Sequence, residues 1–174
     1  MPPKPPSSVG QFAKLQDGEN RYRFLSEVVY GWEGWKDKKP FRHEGMECKI
    51  KPEDVDKNSY GNLAISFFWA AVVWNYKEKK IQVLSLTQKT IMDVLYDYTQ
   101  QEEFGDLKGY DIKINRNKEG DKVTYITTAM PPKPVAKEIA ELYAGTDVNL
   151  KAIFRGEYPM GNHQDPIPEE DVPF

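Results

Sequence analysis

Residues 62–101 read NLAISFFWAAVVWNYKEKKIQVLSLTQKTIMDVLYDYTQQ, and the apolar period changes inside them. Residues 62–76 are a long run rich in Phe, Trp and Val, a composition that favours strand over helix. One parity carries Ile65, Phe67, Trp69, Ala71 and Val73; the other carries Phe68, Ala70, Val72, Trp74 and Tyr76. Trp69 and Trp74 therefore face opposite sides of the strand. The polar KEKK at 77–80 turns the chain, and IQVLSLT at 81–87 returns as the second arm of a hairpin. From residue 88 the spacing becomes helical. Ile91, Leu95 and Tyr98 fall on one stripe, Asp93, Asp97 and Gln100 lie off it, and Thr87 is placed to cap the N-terminus.

The rest of the chain is read outward from this hairpin and helix. Residues 1–11, rich in Pro and Ser, are expected to form a disordered arm. NRYRFLSEVVY at 20–30 is β-branched and aromatic and reads as a strand. Residues 31–61 lack a clean period and are expected to be a long loop. YDIKINR (110–116) alternates, NKEGD turns, and KVTYITT (122–128) returns as another hairpin. MPPKP (130–134) breaks the sheet. VAKEIAELYAG (135–145) reads as a short helix with Gly145 just past its end. The expected fold is mainly β: five strands, one helix between the third and fourth, and a short C-terminal helix. That is the chain order of an OB-fold, a Greek-key barrel that binds oligomers across strands 2–3 and the loops between strands 1–2 and 4–5. The domain spans 12–155, and 156–174 is an acidic disordered tail.

Composition narrows the function. The 174 residues are 39% hydrophobic and 29% charged, which suits one globular domain. No run approaches the 18 apolar residues of a membrane-spanning helix, and MPPKPPSSVG has no apolar core of a secretory signal. Cys48 is the only cysteine, which excludes a disulfide within one chain and fits a reducing cytoplasm. The two histidines, His43 and His163, are scattered, so no zinc ligand set and no cofactor is expected. The net charge of −3 conceals an asymmetry. Residues 156–174 hold five acids (Glu157, Asp165, Glu169, Glu170, Asp171) and no Lys or Arg, so residues 1–155 carry 24 basic against 22 acidic residues. The body is slightly basic and the tail acidic.

Catalytic signatures are missing. GWEG is not a phosphate cradle, His43 and Cys48 share a loop without an orienting partner, and PEDVD (52–56) lacks the ligand alternation of a calcium loop. The chain is read as a binding protein. GWEGWKDKKPFR places Trp32 and Trp35 beside Lys36, Lys38, Lys39 and Arg42, and base stacking on aromatics between phosphate-neutralising cations is how single strands are held. Either tryptophan could equally cap the barrel from inside. Trp74 and Tyr76 are read as outward because Lys77, Lys79 and Lys80 follow. Arg21 and Arg23 share a face of the first strand, Lys113 and Arg116 belong to the fourth, and Lys118 flanks the loop after it. Each alone is an ordinary solvated charge; together they fall where an OB-fold holds its ligand.

These residues resemble a known family. LQDGENRYRFLSEVVYGWEGW, FFWAAVVWNYKEKKIQVLSLTQKTI and YDIKINR…GDKVTYITTAMPPKP are similar to the single-stranded DNA-binding proteins of tailed bacteriophages, over residues 12–134. The resemblance implies sequence-tolerant binding of single-stranded DNA in replication, recombination and repair, inside an infected bacterial host. One branch of that family carries zinc, and its ligands are absent here. The closing Asp171-Val172-Pro173-Phe174 resembles the acidic tip of bacterial single-stranded DNA-binding proteins, which recruits partner enzymes; Val172 stands where Ile is usual. An RNA-binding OB-fold and a protein–protein adaptor remain open alternatives.

Overall fold

The computed structural model describes residues 10–160. The expected arm up to residue 9 and the tail from 161, with Asp171, Val172, Pro173 and Phe174, lie outside the described residues. Seven strands form one antiparallel sheet. In chain order the elements are β1 (Gly18–Phe24), β2 (Val29–Lys36), β3 (Lys39–Glu44), β4 (Ile65–Asn75), β5 (Lys80–Leu86), α1 (Lys89–Thr99), β6 (Asp111–Glu119), β7 (Lys122–Ala129) and α2 (Lys137–Ala144). Short 3-10 turns lie at Pro52–Asp54, Leu107–Gly109 and Leu150–Arg155.

The long strand β4 organises the sheet. Its second half pairs with β1, its first half with β2, and its other edge with β5. The chain from 18 to 36 therefore runs along one edge of β4, as the expected strand 20–30 does, but it is interrupted. Phe24 pairs with Val73 and Val29 with Ala70, so four residues on one side face two on the other. Such an insertion bends a strand. The Ser26 hydroxyl accepts the Val72 N–H at 2.8 Å, supplying the acceptor that the bulge removes from the ladder.

The expected loop at 31–61 is irregular only from residue 45 onward, with one 3-10 turn; the residues before 45 are strand and turn. β2 and β3 form a hairpin whose two-residue turn, Asp37-Lys38, has φ of 53° and 62°. A turn with both central residues left-handed usually announces itself as Asn-Gly, and Asp-Lys does not. Asp56 fixes it instead: its carboxylate accepts the Asp37 N–H at 2.7 Å and lies 3.4 Å from Lys36 Nζ. β3 contains Pro40 and lies at the sheet edge, where a missing donor is tolerated.

β6 pairs with β1 on the far side and β7 with β6. The sheet comprises seven strands, and no ladder joins β5 to β7, in place of the expected five-stranded Greek-key barrel. Both faces of β4 are covered. On the inner face Ala71 and Val73 pack with Tyr22, Phe24, Leu84, Leu86, Ile112 and Ile114 against Ile91, Met92 and Leu95 of α1. On the outer face Phe68, Ala70, Val72 and Val83 pack under Ile153 and Met160. Each Val, Leu, Ile, Phe or Met side chain so buried contributes about 1.5–3 kcal/mol.

The helices fall where their periods placed them, with different ends. Gln88, not Thr87, is the N-cap of α1 and makes no side-chain cap bond; its amide oxygen accepts the Thr87 N–H instead. Gly145, expected just past the end of α2, is its C-cap and is right-handed. The packed body continues past residue 155: Met160 is buried, its N–H and carbonyl both bonded to the Gln11 amide. No helix among the described residues is long and apolar enough to cross a membrane.

The glycines of GWEGW have a steric cause. A Cβ on Gly31 would lie 2.1 Å from the carbonyl oxygen of His43 on the paired strand, and backbone cannot swing aside. Gly31→Ala is expected to cost about 1–3 kcal/mol, roughly 2–12 °C in Tm for a chain of this size. Gly109→Ala, with nothing within 4 Å of its Cβ, is the control for a calorimetric comparison.

Candidate functional site

Where β2 and the first half of β4 extend beyond α1, the inner face of the sheet is left open. Direct cross-strand pairing puts Tyr30 beside Trp69 and Trp32 beside Phe67. The Phe67 ring lies 5.5 Å from Trp32, edge-on, and 6.4 Å from Tyr30. Tyr96 of α1 faces them across a cleft of ≈ 1010 Å³, with Met92 on its wall and Leu107 at its end. Trp32 is held in place by its Nε1–H, which donates to the Met46 carbonyl at 2.9 Å. Tyr30 is 43% exposed and Tyr96 54%. Aromatic faces open to solvent on an ordered sheet can stack planar ligands.

The rim of this cleft is not basic. Glu27, Asp93 and Asp106 stand on it with Lys89. Lys89 is 2.6 Å from Asp93, and Lys108 bonds Glu27. That bond to Glu27 raises the pKa of the Lys108 ammonium.

The residues singled out in the sequence divide into separate groups. Trp32 lines the cleft, whereas Trp35, three residues on and on the other face, is buried and donates to Glu33 Oε1 at 2.9 Å. Arg42 also binds Glu33, at 2.9 Å, and lies over the Phe68 and Phe12 rings, so it is structural and not a free cation. Trp74 lies on the face opposite Trp69, as the parity predicts, but it is not the open surface residue expected: it packs half-buried against the cluster around Phe68. Lys36, Lys38 and Lys39 stand at the tip of the β2–β3 hairpin. Lys77, Lys79 and Lys80 stand at the β4–β5 turn, the opposite end of β4. Eleven residues of strand put these two ends about 35 Å apart. Arg116, bonded to Asp17, and the exposed Lys118 belong to the β6–β7 hairpin at the second end.

Arg21 and Arg23 do share a face, and Asp111 gathers them. This carboxylate is fully buried. Its Oδ2 takes Arg21 Nη2 at 2.7 Å; its Oδ1 takes the Tyr76 hydroxyl at 2.8 Å and lies 3.4 Å from Arg23 Nη1. Arg23 spends its other donors on the carbonyls of Lys108 and Lys133 and is 2% exposed, so it is a core residue and not a phosphate contact. Burial pulls the Asp111 pKa up, but the bonds from Arg21, Tyr76 and Arg23 outweigh it and hold the carboxyl below its ordinary range. Burial, followed by the bond to Asp111, pushes Tyr76 up to about 12.

Tyr30, Phe67 and Tyr96 escape a reading of the sequence. For the first two the register between β2 and β4 has to be known. Tyr96 did carry a signal, since it is an aromatic off the apolar stripe of α1. Cys48 is exposed, and among the described residues no group of three or more His, Cys, Asp or Glu is placed to hold a metal. No protein-family model, curated protein or solved structure matches the chain.

Asp111→Asn leaves Arg23 buried without its counter-charge and is expected to cost about 3–5 kcal/mol. Because the folded pKa of Asp111 lies below the unfolded value of about 3.9, its stabilisation is complete above that value and fades as pH falls through the folded one. Urea denaturation at several pH values should therefore show a shallower acid limb in the variant.

Proposed function

We propose that the chain binds single-stranded DNA by stacking bases in the cleft between β2, β4 and α1, with little base preference. The observation that carries this reading is the cleft itself. β4 is covered on both faces over most of its length, and at one place the exposed Tyr30 and Tyr96 and the partly buried Trp32, Phe67 and Trp69 line one open cleft together. The strand connectivity supports it. With β1 and β2 taken as one interrupted strand, the pairing order β5–β4–β1–β6–β7 with a helix after β5 is that of an OB-fold whose closing pair is left open and whose loop 1–2 is elaborated by β3. In this reading the protein acts by binding alone, with no cofactor, and covers single strands in phage replication, recombination and repair. Asp171, Val172, Pro173 and Phe174 offer an acidic, aromatic-bearing segment to partner proteins.

The charge of the rim shapes the mechanism. With Glu27, Asp93 and Asp106 beside the cleft, the affinity there comes from ring faces, and the phosphates are held by cations outside it.

Titration with oligo-dT at low salt is expected to quench tryptophan fluorescence, because Trp32 and Trp69 line the cleft. Trp32→Ala and Tyr96→Ala should each weaken binding roughly 5- to 150-fold, the equivalent of about 1–3 kcal/mol per stacked base, with an unchanged circular dichroism spectrum. Folded variants that bind oligo-dT as tightly as the parent would remove the cleft as the binding site, and a parent that does not bind oligo-dT would sink the reading in favour of an adaptor. A matched oligo-rU competing equally well would move it to single-stranded nucleic acid in general.

A further inference from the structure

We propose that Arg21, Lys113 and Lys133, on the outer face around Asp111, form a phosphodiester-binding site that receives the strand as it leaves the aromatic cleft. This rests on the single-strand reading above and adds the place where the phosphates go.

The cluster holds more positive charge than it needs. Arg21, Arg23 and Lys133 all lie within 4 Å of the one Asp111 carboxylate. The carboxylate is already served by Arg21, Arg23 and the Tyr76 hydroxyl. Lys133 Nζ stops 3.7 Å away, attracted but outside ordinary hydrogen-bond distance. Lys113 sits directly opposite Arg21 across the β1–β6 ladder. Like charges in that arrangement repel, and they are tolerated where an anion comes between them. Glu19 is the acid facing this pair; it lies 3.5 Å from Lys113 Nζ and is itself half in solvent. Four cations against two carboxylates leave an excess of two positive charges on a rigid face.

The donors are presented, not merely present. The Arg21 guanidinium carbon lies over the Tyr76 ring, 4.8 Å from its centre, and its Nε–H, itself buried, has no acceptor among the described residues. The Arg21 and Lys113 side chains are about one third exposed and Lys133 is 56% exposed, so an anion can reach all three. Across the ladder from Lys113, Thr128 adds an exposed hydroxyl position.

The site also adjoins the cleft. The Leu107–Gly109 turn separates them. Gly105, Asp106 and Leu107 line the cleft on one side. On the other, the Lys108 carbonyl holds Arg23 and the Gly109 carbonyl accepts the Lys133 N–H. A strand passing over this turn meets Lys108 and then Lys133, Arg21 and Lys113. Tetrahedral phosphate oxygens suit a fork-shaped guanidinium flanked by two ammonium groups.

The test is the salt dependence of oligo-dT binding. Each lost phosphate contact lowers the slope of log Kobs against log salt by about 0.7. Lys113→Gln with Lys133→Gln is expected to lower it by about 1.4 and leave fluorescence quenching at saturation intact. Lys137→Gln, an exposed lysine on α2, is the control and should change nothing. In parallel, inorganic phosphate is titrated while the Arg21 Nε–H resonance is followed by NMR; millimolar phosphate should shift it, and the shift should vanish in the double variant. Oligo-dT that binds with an unaltered slope in the double variant overturns the inference while the single-strand reading stands. A resonance moved by phosphate with that same unaltered slope assigns the site to free phosphate and also overturns it. If the parent chain does not bind oligo-dT at all, both fail together.

Discussion

β4 carries apolar side chains at both parities, and a strand of that kind has no wet face. The rest of the architecture answers this constraint. α1 lies against one side, supplying Ile91, Met92 and Leu95, and the segment from Leu150 to Met160 lies against the other, supplying Ile153 and Met160. Neither cover is optional, because the same backbone carries both faces and losing one exposes the other's ladder to water. The pairing partners follow suit. A single run of chain, bent at Ser26, serves as the neighbour of nearly the whole strand, and the bend lets it change direction without leaving the Val72 N–H unsatisfied.

The open cleft exists because these covers stop short. α1 is eleven residues long and ends at Thr99, while β2 and β4 continue past it. Tyr30, Trp32, Phe67 and Trp69 follow the parity of buried residues and would be core under a longer helix. Their exposure is a consequence of element length, and element length is something a sequence states poorly. A site of this type is rigid, because its rings stand on paired strands and not on loops.

Much of the fold could be read from periodicity. The β4–β5 hairpin, the stripe of α1 and the β6–β7 hairpin all follow from spacing, since there burial decides which residues stand where. The β2–β3 hairpin could not be read, because its turn is set by Asp56, nineteen residues downstream of Asp37, and not by the turn residues themselves. The same holds at the candidate site. Trp32 and Trp35 look alike in GWEGW, yet one lines a cleft and the other is buried, and only the faces of β2 separate them. Basic residues mislead for a related reason. A guanidinium near a buried carboxylate is structural, and the sequence does not show that Arg23 meets Asp111 or that Arg42 meets Glu33.

Charge and aromaticity thus occupy different surfaces of this protein. A single strand offers flat bases and charged phosphates about one nucleotide apart, and a groove lined by both kinds of side chain is the obvious way to hold it. Here the aromatic cleft has acids on its rim, so a phosphate drawn into it would meet Glu27, Asp93 and Asp106. A base would not, because its ring has no net charge. In the proposed single-strand reading the acids orient the ligand, admitting ring faces and turning the backbone outward, toward the cations beyond the Leu107–Gly109 turn. On that proposal, selectivity for single strands would follow from the same division, since a duplex keeps its bases stacked on one another and presents the cleft with phosphates alone.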